Sequence, residues 1–155
     1  MLKRFLVPLL VLGLLATPAF AADETQPDLS ALANQAKQAE ALLKQGKFAE
    51  ALAAYQALTE AHPDDKAFAK EAQLLERVIE LREFVKTEEA GPQWERIVVA
   101  LDSWYHQKGL VAMALEQGKA AHAKADSATT AALVAGSLLE LGKNEEAAKF
   151  TTDLR

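Results

Sequence analysis

The sequence predicts an all-α chain of antiparallel helix hairpins stacked side by side, about seven helices in all. Three observations predict it. Apolar residues recur at steps of three and four, as in Leu29, Leu32, Ala36, Ala39, Leu42 and Leu43, which gathers them on one face of a 3.6-residue helix. The chain beyond residue 28 is rich in Ala, Leu, Glu, Lys and Gln, all strong helix formers; its one candidate strand, Ile97-Val98-Val99, sits inside a longer helical pattern. Breakers interrupt the pattern at short intervals, and short links between helices make neighbours pack antiparallel.

The first element is an address. Lys3 and Arg4 give a basic start, and Phe5 to Leu15 form an apolar run of 11 residues. Ala19-Phe20-Ala21 then supplies small residues at alternate positions, the pattern a signal peptidase cleaves, here after Ala21. The run is short of the roughly 20 residues that span a bilayer; an uncleaved amino-terminal anchor is the alternative. Cleavage of 1–21 leaves 134 residues with 15 basic and 22 acidic side chains, so the formal charge moves from -5 to -7. The expectation is a bacterial periplasmic or secreted protein with no stable membrane span. Residues 22–28 are polar, contain Pro27 and read as a flexible lead-in. A single helical domain over 29–155 follows.

Each helix has its own stop. Gly46 ends a first helix over 28–45. His62-Pro63-Asp64-Asp65 ends a second over 48–61, because proline disfavours helix in the residue before it. Gly91-Pro92 ends a third over 65–89, and Gly109 a fourth over 93–108. Asp126 or Ser127 is a plausible N-cap between a fifth over 110–124 and a sixth over 127–141. Gly142 introduces a seventh over 144–154. In the long third helix, Leu74, Leu75, Val78, Leu81 and Val85 form the expected buried stripe.

Composition excludes several classes. The acidic balance argues against a nucleic-acid binder that works by neutralising phosphates. Without cysteine there is no disulfide, thiolate zinc site or thiol nucleophile. His62, His106 and His122 form no His-x-x-x-His pair and stand at no metal-ligand spacing. Ser137 lacks the glycine pattern and preceding strand of a nucleophile elbow. Asp64-Asp65 and Glu88-Glu89 are sequence neighbours, whereas acid/base pairs must face across a cleft. No phosphate-cradling glycine loop is present. The reading is therefore no enzyme, no metal and no cofactor.

Self-comparison shows an internal likeness. Gly46-Lys47 and Gly142-Lys143 each precede Glu-Ala at one offset, Glu50-Ala51 and Glu146-Ala147. Each glycine follows an Ala seven residues back and a Leu four back, Ala39 and Leu42, then Ala135 and Leu138. The segment carrying Ala39, Gly46, Phe48, Ala51, Tyr55, Leu58 and Pro63 resembles the tetratricopeptide repeat (TPR), a helix–turn–helix of 34 residues. Residues 128–155 match at Ala135, Leu138, Gly142 and Ala147. Residues 95–124 match at Gly109, Val111, Ala114 and Ala121, with Asp102 at a small-residue position and Gly118 at an aromatic one. The fold expected from the resemblance is a short, degenerate TPR-like solenoid, with the long third helix inserted or acting as a strut.

TPR proteins generally bind peptides or proteins in a groove lined by the first helix of each pair. The resemblance thus implies groove candidates Glu40, Leu43 and Lys44 in the first repeat, Arg96, Ser103 and His106 in the middle one, and Leu139 and Glu140 in the last. Trp94, Trp104 and Tyr105 form a separate cluster, read either as core or as an exposed anchor, since Trp and Tyr dominate interface hot spots. An open repeat end exposes apolar surface unless capped, so helix 144–154 is expected to dock on a partner or a second copy. The leading functional expectation is an adaptor or scaffold for another envelope protein or peptide. The alternative is a helical carrier of a small apolar ligand, with the Trp94/Trp104/Tyr105 cluster lining its pocket.

Overall fold

Helix caps written into the sequence divide the chain into its elements. The computed structural model describes residues 29–152, and among them it holds seven helices and no strand. These are α1 (Leu29–Lys44), α2 (Phe48–Ala61), α3 (Lys66–Thr87), α4 (Pro92–Gln107), α5 (Val111–Lys124), α6 (Ala128–Glu140) and α7 (Asn144–Thr152). The leader reading of 1–21, the lead-in 22–28 and the end of the expected last helix lie outside the described residues.

The three hairpin turns α1/α2, α4/α5 and α6/α7 are built alike. Gly46, Gly109 and Gly142 take φ of 76°, 69° and 73°. The amide after each glycine reaches back to close the preceding helix, Lys47 to Leu42, Leu110 to Tyr105 and Lys143 to Leu138, at 2.8–3.0 Å. This is the Schellman termination, in which a left-handed residue lets two amides satisfy orphan carbonyls. Elsewhere the polar caps act. Asp65 accepts from the Ala67 amide at 2.9 Å, Pro92 opens α4, and Ser127 with Thr130 forms a reciprocal capping box on α6.

Consecutive helices pack on one another, and α4 also meets α6 directly. One core joins α1, α2, α3 and α4 around Ala39, Ala51, Leu75 and Leu101. A second lies between α5, α6 and α7 around Leu115, Val134, Leu138 and Ala147. Trp94, Val98 and Ala121 form a third between α4 and α5. Gly118 faces Val134, and a Cβ there would already be in van der Waals contact with Val134 Cγ2 at 3.4 Å, with no space for a ring beyond it. Close approach of α5 to α6 explains a glycine where the resemblance prefers an aromatic ring.

One expectation about faces is corrected. The buried stripe of α3 is Ala72, Leu75 and Val78, with Leu81 and Val85 half-buried; Leu74 is exposed. In α7, Ala147 is buried and Phe150 packs on the second core, while Glu145, Glu146 and Lys149 face outward. Ala148 is exposed alongside them. No described helix is long and apolar enough to cross a membrane.

Candidate functional site

The α4/α6 contact places His106 at the centre of a polar cluster. Its Nδ1 lies 2.6 Å from Glu140 Oε2, its Nε2 3.2 Å from Ser137 Oγ and 3.6 Å from Asp102 Oδ2. Asp102 precedes His106 by one helical turn, so both side chains share a face of α4. Burial pushes the Asp102 carboxyl above the usual carboxylate range; nearby His106 opposes the shift and Glu140 adds to it. Asp102 Oδ1 is buried without a hydrogen-bond partner among the described residues, as is Trp104 Nε1.

Glu140, His106 and Ser137 stand in the order of an acid, a base and a hydroxyl nucleophile. Ser137 is fully buried in the body of α6, so its hydroxyl presents no face to an incoming substrate. The cluster is instead a hydrogen-bonded bridge between two helices, with its outer edge in solvent. Leu139, the residue before Glu140, is 56% exposed, and Glu140 is also exposed. No three His, Asp or Glu side chains among the described residues are grouped to hold a metal ion.

The first-repeat candidates line a separate cleft. Glu40, Leu43 and Lys44 of α1 border a cavity of about 360 Å³ with Phe68 and Glu71 of α3 and Lys108 after α4. Lys44 donates to Glu40 across one turn at 2.7 Å, and that bond holds the Glu40 carboxyl below its ordinary range. Lys108 ties the cleft to α4 through Glu71, also at 2.7 Å and half-buried. Leu43 is buried and forms part of the cleft floor.

Arg96 and Ser103 are exposed and, seven residues apart, lie on one stripe of α4. Neither joins the His106 bridge. Ser103 stands about one turn before His106 on α4 and Leu139 directly precedes Glu140 on α6, while Glu40 and Lys44 belong to a separate cleft.

The aromatic cluster is divided. Trp104 and Tyr105 meet edge to face at 5.4 Å and both approach Phe48. Trp94 packs elsewhere and donates its indole N–H to the Val85 carbonyl at 2.8 Å. All three are buried, which removes the exposed-anchor alternative. Trp94 and Tyr105 nevertheless line one cavity of about 680 Å³; Trp104 does not. Asp102 and Ser137 are buried members of the His106 bridge that pattern reading did not bring together with it, although an acid at a small-residue position was a visible signal for Asp102. Comparison with known proteins gives no match to any family model, curated protein or solved structure.

Proposed function

We propose that this chain is an exported, TPR-like adaptor that binds a segment of another envelope protein and performs no chemistry itself. One observation carries the reading: the facing helices α4 and α6 join through His106 and Glu140 at 2.6 Å, and Leu139, which directly precedes Glu140, is left 56% exposed. An apolar anchor bordered by a fixed polar pair is what a peptide-binding surface requires. Kinship to TPR proteins is supported by the shared Gly-terminated turns at 46, 109 and 142 and by buried Ala51, Ala114 and Ala147, each five residues after its glycine. The basic, apolar and small-residue order of 1–21 supports export.

The test is site-directed photocrosslinking in the native envelope, from probes at Ser103 and Leu139 and from a control probe at exposed Ala53 on α2. The same partner captured from both surface positions and not from Ala53, and lost in Leu139→Asp, supports the reading. Identical products from all three positions, or none from Ser103 and Leu139, overturns it.

A further inference from the structure

We propose that the cavity between α3 and α5 is a binding site for a small anionic amphiphile, an apolar body with one carboxylate or phosphate head. The two helices flank α4 and meet where Lys124 of α5 reaches the carbonyls of Val85 and Lys86 of α3. The space they leave holds about 680 Å³, within the range of small-molecule sites. Its walls are Phe48, Val85, Trp94, Tyr105, Met113 and Ala121, and exposed Ala112, Glu116 and Ala120 mark its mouth.

Charge selects the ligand. Arg82, Lys86 and Lys124 line this cavity against one carboxylate, Glu116, in a chain whose net charge is -5. Among the described residues Arg82 has no carboxylate partner; its guanidinium lies 4.3 Å from the centre of the Phe48 ring and beside the Tyr105 hydroxyl. Lys86 reaches Glu83 only at 3.6 Å and stays largely exposed. Lys124 closes one end, donating to the carbonyls of Val85, Lys86 and Glu88 with its ammonium over the Trp94 ring. A head group beside Arg82 and Lys86 leaves the body against Trp94 and Met113. Glu116, on the opposite helix, disfavours a second anionic group. This site lies apart from the α4/α6 surface and does not rest on the adaptor reading.

Tryptophan fluorescence of the mature chain tests it, with dodecanoate, dodecyl phosphate, dodecanol and dodecyltrimethylammonium titrated below micelle formation. A saturable shift with either anion, weakened about ten-fold or more for the alcohol and the cation, is expected, since like-charge contacts and lost ion pairing each shift affinity by that order. The tighter of the two anions identifies a fatty-acid-like or a phospholipid-like head. Trp94→Phe should remove most of the shift and Trp104→Phe should retain it. The double change Arg82→Gln and Lys86→Gln should weaken the anions and leave dodecanol unchanged. If that variant fails to fold, Ala120→Trp, at an exposed position on the mouth, should abolish binding by filling the entrance. Equal binding of dodecanol and dodecanoate, binding that survives Ala120→Trp, or no shift at all overturns the proposal. So does a shift that follows protein concentration, which assigns the cavity to a second copy.

Discussion

His106 Nδ1 meets Glu140 Oε2 at 2.6 Å and so ties α4 to α6 across 34 residues of sequence. The two partners are not equivalent. Glu140 is half-exposed, and a pair open to water contributes about 0–1 kcal/mol. His106 also satisfies Ser137, which is buried, and stands beside Asp102. Glu140→Gln is therefore expected to lower stability by less than about 1 kcal/mol. His106→Ala is expected to cost about 1–3 kcal/mol, because it leaves buried polar atoms without a partner. Urea denaturation of both variants separates them, and equal losses would show that the bridge is the Glu140 contact alone.

Asp102 gives the fold a pH dependence. Its carboxyl is raised by burial, so the folded chain holds that proton to higher pH than the unfolded chain does. The stability this adds is fully present below the unfolded value of about 3.9 and is lost as pH rises through the raised folded value. Asp102 Oδ1 is buried with no hydrogen-bond partner among the described residues. Ala39 and Ala135 occupy the same offset before their glycines. Asp102→Ala is accordingly expected to stabilise the fold by about 1 kcal/mol at pH 7, with the gain shrinking toward pH 4. Paired melts at the two pH values check this; a loss at pH 7 would mean that Asp102 is needed to position His106.

The cap on α6 predicts a third effect. Ser127 Oγ accepts from the Thr130 amide at 3.3 Å and donates to Glu95 Oε1 at 2.7 Å. One hydroxyl thus closes α6 and links it to α4. Ser127→Ala should cost about 1–2 kcal/mol, the upper part of the capping range, because a charge-assisted bond is lost with the cap. Ser127→Asp keeps an acceptor for the amide but brings a second carboxylate to Glu95. It should recover less stability than capping alone would give, and that shortfall should narrow at high salt.

Helices were legible in the sequence because their ends are local chemistry. Gly46, Pro63, Pro92, Ser127 and Gly142 each act within a few residues, and every described helix end lies within two residues of its expected position. Surfaces were less legible because they depend on which helix covers which. Leu43, His106 and Leu139 share one offset before their glycines, yet they are buried, half-buried and exposed in turn. Leu43 is covered because α3 closes on the α1 cleft with Phe68 and Glu71; Leu139 has no such cover. Trp94 and Trp104 stand ten residues apart, nearly three helical turns, a spacing compatible with one shared face. The third core draws Trp94 toward α5, while Phe48 draws Trp104 toward α2. The cavity between α3 and α5 follows from helix spacing, which no periodicity reports.

The hairpin glycines allow conformation to be separated from crowding. Gly109 and Gly46 have nearly the same positive φ, but a Cβ at Gly109 meets nothing within 4 Å, whereas one at Gly46 would stand 2.9 Å from Met113 Cε. Gly109→Ala should therefore cost only the left-handed backbone, about 1–2 kcal/mol, and Gly109→Asn should recover part of it, since asparagine tolerates that region. Gly46→Ala pays the same conformational cost and must also move Met113, whose flexible thioether yields easily. The two alanine variants are then expected to differ by less than about 1 kcal/mol, well short of a rigid overpacking penalty. Because Met113 also lines the α3/α5 cavity, Gly46→Ala should alter tryptophan emission while Gly109→Ala leaves it unchanged. A large stability gap between the variants, measured by thermal melts, would show that Met113 is held rigidly in place.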